Sequence, residues 1–442
     1  MSIPFGFSPN GDENDDLAAM FENLGRMLRN RGSENNDSVD WETANKASRQ
    51  TLNKDGNPEI TPEQRSAVES ANELAEIWLN DATSFPSLGL PLVASTRSEW
   101  LDKTFNVWKL IVEPVAEGLS NAMTSLLPNG HEGQNLEIPE ELLAGLPEEM
   151  ASSMRELLGS QNLSELLGPI MGMARSMGAT MFGNQFGQVL ASMATEVLSF
   201  SDVGIPLTEK SEPSLVMANV SEFSKDLSIP SADILIYIAL RELAHQRLFA
   251  HAPWLRSQAL TAVGDYARGV KIDSDKIQGI ISQIDPQNLE SIQTTLGADL
   301  FEATTSPEQI SALARLELLL ALIEGWVTTV VTSAISNRLP SAVALEETFR
   351  RRRAAGGPAE KLFSGLVGLE LRPRRLREAS DLWTGLTLER GIVERDALWL
   401  HPDLLPSAED IDNKDGFIAG QTHDLMSDLD KAMETPGPTE DS

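Results

Sequence analysis

The stretch ADILIYIALRELAHQRLFAHAPWLR, residues 232–256, decides how this chain is read. Ile234 and Ile238 recur at helical spacing, and Tyr237, Arg241 and His245 follow one another at i, i+4 and i+8, so the segment predicts a helix with the last three on one face. Glu242 and His245 stand one turn apart on it. Around this helix, start signals for others recur. Thr61-Pro62-Glu63-Gln64 and Ser306-Pro307-Glu308-Gln309 each place a hydroxyl at the N-cap, proline at the first helical position and glutamine three residues on. Thr96 with Glu99 offers a third capping box, and Asp285-Pro286 marks a further start. Strand signals are sparse, confined to PSLVMANV around Leu215 to Val220. The fold class expected is mainly α, with at most a few short strands.

Composition agrees. Only 24 of 442 residues are aromatic (14 Phe, 8 Trp, 2 Tyr), which disfavours an all-β sandwich or barrel. The net charge of −31 argues against a nucleic-acid backbone or an anionic membrane surface as partner. With no cysteine, disulfides, thiolate metal sites and thiol nucleophiles are excluded, so any metal must use His, Asp or Glu. The beginning MSIPFGFSPNGDENDD has no positive charge before Arg26, which predicts neither a secretory nor a transit peptide and hence a cytoplasmic location. Ser176 to Thr195 and Leu318 to Asn337 approach the roughly 20 residues that span a bilayer. Their Asn184, Gln185, Gln188 and Glu324 favour buried core helices instead.

The organisation expected is an acidic mobile arm over residues 1–45, a helical domain over 46–402 with a possible sub-boundary near 200–230, and an acidic tail over 403–442. The tail holds eleven acidic residues and two lysines. In GPIMGMARSMGATMFGNQFGQ, residues 168–188, Gly183 and Gly187 lie one turn apart and predict close approach of another helix.

The chemistry of residues 241–245 follows from their types. A helix that grips Zn²⁺ needs two imidazoles at i and i+4, with a glutamate directly after the first to take a proton from metal-bound water. Arg-Glu-Leu-Ala-His supplies the glutamate and the second histidine but puts Arg241 where the first should be. A guanidinium has no lone pair to donate and repels a dication. On these residues alone, a histidine hydrogen-bonded in a helical core is the better explanation of His245.

The segments YIALRELAHQRLFAHAPWLR, LIEGWV, LPSAVALEETFRRRRAAGGPAEKLFSGLVGLELRPRRLREASDLW and ALWLHPDLLPSAEDID together resemble an actinobacterial family of zincin-like, zinc-dependent metallopeptidases. The resemblance runs from about Glu73 to Phe417 and implies a multi-helix zincin-like domain. Where the family keeps its full motif, it reads His-Glu-x-x-His with a downstream Leu-Glu-Gly segment on a second helix. Carried over, Glu242 matches the general base, His245 the second metal ligand and Glu324 the third, while Arg241 falls at the first ligand. The branch most similar to this chain reads Arg-Glu-x-x-His. A second alignment would make His251 the third ligand, ten residues after Arg241; Leu248 at the glycine site that lets the chain turn makes it the weaker choice.

The resemblance therefore implies a degenerate metal motif, with zinc expected weak or absent. Two functions follow from it: a catalytically inactive interaction or scaffold protein with a protein partner, or an active zinc-dependent metallopeptidase acting on peptides through a non-standard ligand set. If the geometry of the family holds, the Arg241 guanidinium sits in or beside the vacated metal position in a bidentate pair with Glu324, and His245 is hydrogen-bonded. Last, a basic cluster of Arg350, Arg351, Arg352, Arg353, Lys361, Arg372, Arg374, Arg375 and Arg377 gathers nine of 35 cationic residues within 28 positions. Its readings are neutralisation of carboxylates within the fold or docking of an acidic partner.

Overall fold

A computed structural model of the chain describes residues 38–125, 163–268, 306–354 and 375–420. These hold α1 (Trp41–Asp55), α2 (Pro62–Asn80), β1 (Val93–Ser95), α3 (Arg97–Ser125), α4 (Leu163–Ala194), β2 (Ser214–Val216), α5 (Met217–Lys225), α6 (Ser231–His251), α7 (Trp254–Arg268), α8 (Pro307–Ile335), α9 (Ala342–Ala354), α10 (Leu376–Ala397), α11 (Ala408–Asp412) and α12 (Lys414–Ile418). The mainly helical expectation holds.

The start signals act as their chemistry requires. Thr61 and Ser306 both close reciprocal capping boxes with Gln64 and Gln309, each behind a proline in the first turn. At α3, Thr96 and Glu99 exchange backbone amides in the same way. The segment around Asp285 lies outside the described residues. Of the expected strand, only Ser214–Val216 is extended, pairing in parallel with Val93–Ser95; from Met217 the chain turns helical. β1 supplies just three partner residues, so the ladder ends where its hydrogen bonds do.

Two apolar cores form. In the first, α2, α6, α8 and α10 meet around Tyr237, Leu240, Trp326, Trp383 and Trp399. In the second, α1, α3, α4 and α7 enclose Trp100, Trp108, Phe186 and Leu190. α8 serves both: Leu316 and Leu320 enter the second core, and Ala321 onward enters the first. That role explains its composition. It is long and apolar enough to cross a membrane, yet 78% of its most apolar 18-residue window is buried in the protein. On α4, a Cβ at Gly183 or Gly187 would collide with the carbonyl oxygens of Asp40 and Ala44, so the two glycines let α1 lie against α4 backbone to backbone.

The described residues from Val39 onward belong to one unit. α1 begins at Trp41 because Asp40 caps it, accepting from the Thr43 amide at 2.9 Å, and Ala44 and Ala47 are buried. At the other end Ile411 of α11 and Phe417 of α12 join the first core. Within residues 200–230, the Ser201 and Ser214 amides bond directly to Glu242 of α6. The rest of both acidic segments lies outside the described residues.

Candidate functional site

α6 is the innermost helix. From Tyr237 to Phe249 every residue is buried, so its polar side chains have no route to water and each must find a partner in the protein. Arg241 is 5% exposed, Glu242 0%, His245 1%, and Glu324, facing them from α8, 3%. The Glu-Gly pair on α8 works in two directions. Glu324 turns toward α6, while a Cβ at Gly325 would lie 2.9 Å from the Ala379 backbone, which makes glycine the residue that lets α10 close on α8.

Glu324 is the hub. Its Oε1 lies 3.0 Å from His245 Nε2, and its Oε2 accepts from Arg241 Nη2 at 2.7 Å. The same Oε2 also pairs with Arg353 Nη1, from the last turn of α9. His245 Nδ1 faces the Arg241 carbonyl at 2.8 Å, an atom that only accepts, so this nitrogen donates. Burial alone would raise the Glu324 carboxyl; Arg353, His245 and Arg241 together outweigh it and hold the group well below the usual carboxylate range. Burial pushes Arg353 down while Glu324 pulls it back, and Arg241 opposes it as a like charge.

The arginine pair expected from the sequence is formed, with one difference. Arg241 reaches Glu324 through a single nitrogen and not as a bidentate fork. The carboxylate has no free edge for a fork, because His245 takes one oxygen and Arg353 shares the other.

Glu242 is committed elsewhere. It accepts from the Ser201 amide at 2.9 Å, the Ser214 amide at 3.3 Å and Gln246 Nε2 at 3.0 Å, which ties α6 to the loop between α4 and β2. Burial raises its carboxyl against those hydrogen bonds. A carboxylate satisfied in this way is a poor general base, since its lone pairs already hold the backbone. His251 ends α6 with Nδ1 2.7 Å from the Arg247 carbonyl and its ring stacked on Phe85, centroids 4.8 Å apart. It is a packing residue at the helix end.

The basic cluster divides. Arg352 pairs with Asp202 at 2.8 Å and Arg353 with Glu324, both arginines half-buried on buried carboxylates; Arg350 and Arg351 pair outside with Glu347 of their own helix. Arg375 pairs with Asp412, Arg377 is exposed, and Lys361, Arg372 and Arg374 lie outside the described residues. The link from Arg353 to Glu324 is not part of the sequence reading, although a signal for it exists. Leu345, Phe349, Arg352 and Arg353 fall at i, i+4, i+7 and i+8, one face of α9, and Leu345 and Phe349 are buried. Gly204 also escapes sequence reading: at φ +84° it lets the loop pass so close to Glu324 that a Cβ would sit 3.1 Å from Oε1.

As a zinc site this donor set does not fit. Both oxygens of Glu324 are taken, one imidazole remains, and the position of the other is a guanidinium that donates protons and no lone pair. Among the described residues, no three His, Asp or Glu side chains are grouped to hold a metal ion.

A solved crystal structure from Chloroflexus aurantiacus, described as that of a candidate hydrolase with a novel fold, superposes with a TM-score of 0.56. At 19% identity it covers 87% of this chain and 98% of its own, and it shows a shared fold. No curated protein matches the chain. The sequence profile of the zincin-like metallopeptidases matches residues 39–418, nearly the whole described fold. With α6 carrying Glu-x-x-His and α8 answering with Glu-Gly, this chain belongs to the zincin-like metallopeptidase family.

Proposed function

We propose that this chain is a non-catalytic member of its family, acting in the cytoplasm as an interaction or scaffold protein. The observation that carries the reading is the state of Glu324, whose two oxygens are bound by an imidazole and two guanidiniums in a buried cluster. Hydrolysis by this fold would need a group to polarise a carbonyl and a base to activate water. The first would have to displace three cationic or proton-bearing partners, and the second, Glu242, holds two backbone amides. What is kept is a rigid helical body with a net charge of −31, which disfavours nucleic acid and anionic membrane and leaves a protein as the partner.

The test is elemental analysis of the full chain purified without added metal or chelator. Well under one equivalent of zinc is expected, because catalytic zinc sites normally have about three protein ligands. One tightly held equivalent, together with cleavage of a peptide library, would replace this reading with the active metallopeptidase.

A further inference from the structure

We propose that the charge of the family's dication is supplied here by two guanidiniums from two different helices, which makes Arg353 of α9 a second, independent block on metal binding beside Arg241 of α6. This rests on the non-catalytic reading and extends it. One arginine would have neutralised Glu324; the fold sets a second, half-buried cation on the same Oε2. Burying an extra charge is costly unless its site was shaped for more positive charge than one carboxylate balances. A site inherited from a dication has that shape, and two guanidiniums restore its sum.

The second arm is built in, not incidental. Arg352, one residue earlier, pairs with Asp202 through both terminal nitrogens, at 3.0 and 2.8 Å, which fixes the last turn of α9 over the cluster. Phe349, one turn before Arg353, braces the other arm: the Arg241 guanidinium lies 5.6 Å from its ring centroid, and Tyr237 packs on the same ring at 4.9 Å. Arg353 Nε is buried without a hydrogen-bond partner, while the terminal Nη1 of the same guanidinium reaches Glu324. α9 therefore closes on the cluster and supplies one of its two guanidiniums.

The consequence is that restoring the missing histidine is not sufficient to restore the metal. Four full-length proteins test this: the unaltered chain, Arg241→His, Arg353→Met, and the double variant. Each is incubated with zinc, passed through gel filtration, analysed for retained zinc, and melted with and without the ion. The double variant should retain about one equivalent and melt higher with zinc, whereas Arg241→His alone should do neither. Stoichiometric zinc in Arg241→His alone would show that Arg353 blocks nothing and would overturn the inference, leaving the non-catalytic reading of the native chain standing. Zinc in the unaltered chain would instead remove that reading itself. A double variant that is folded by circular dichroism and takes up no zinc would also overturn the inference. A metal-free measurement covers the case in which the double variant does not fold. Arg353→Met should lower the melting temperature of the unaltered chain and raise that of Glu324→Gln, where Arg353 has lost its partner. Equal shifts in the two backgrounds would end the proposal.

Discussion

Two buried carboxylates on the first core, Asp396 and Glu324, have been satisfied in opposite ways. Asp396 takes one cation and otherwise neutral donors: Arg395 Nε and Trp326 Nε1 on one oxygen, both at 2.8 Å, and the Thr83 hydroxyl and Ser84 amide on the other, both at 2.7 Å. Its charge is matched one to one, and the result is a clasp joining α8, α10 and the end of α2. Glu324 has two guanidiniums and an imidazole. The first site is matched by a single cation, while the second gathers two guanidiniums on one carboxylate oxygen. Both carboxylates are buried, so the sites differ chiefly in which donors the fold brings to them.

The comparison can be broken most severely at the clasp. Asp396→Ala strands Arg395, an indole N–H, a hydroxyl and an amide at once, and should cost on the order of 5 kcal/mol in denaturant unfolding. Glu324→Gln leaves two guanidiniums facing each other but keeps one acceptor oxygen, and about 3 kcal/mol is expected from the same measurement. If the Glu324 variant were as stable as the native chain, its cluster would hold no buried charge worth the name. Gly325→Ala tests the packing behind Glu324. Its Cβ would meet the Ala379 backbone, and overpacking of this kind costs about 1–3 kcal/mol.

A pH titration sharpens the role of α9. Burial would raise Asp202, but Arg352 and the Leu198 amide hold it below its ordinary value of 3.8. Its folded-state pKa is thus lower than the unfolded one, so its stabilisation is complete above about 3.8 and fades as pH falls through the depressed value. Asp202→Asn should flatten that acid limb of the stability curve; an unchanged limb would mean that the latch holds no proton-linked energy. The smallest effect belongs to the outer half of the same arginine run. Arg350→Ala and Arg351→Ala remove exposed pairs with Glu347, and the melting temperature should stay within experimental error.

Much of the architecture was legible in the chain because its signals are local. A hydroxyl, a proline and a glutamine at fixed offsets close a cap whatever the rest of the protein does, as at Thr61 and Ser306. The spacing of Tyr237, Arg241 and His245 placed three side chains on one helix face, and they line the inner side of α6. Boundaries were harder to read. Trp41 and Phe417 sit in polar, acidic surroundings, and only the cores they reach made them part of the fold.

By itself the sequence determined the helical class, the absence of cysteine chemistry, and the presence of an arginine, with no lone pair to donate, at position 241 ahead of Glu-x-x-His, since each depends on residue type and short spacing. Tertiary structure alone decided which groups gather around Glu324. Arg353 lies 29 positions from Glu324 and 112 from Arg241 in the chain, and no periodicity links residues on three different helices. Whether it paired on its own helix, as Arg350 and Arg351 do with Glu347, or with Glu324 depended on the packing of α9 against α6 and α8. An arginine exposed to water gains little from any carboxylate, and one carried inside must be paired, so burial selected the partner.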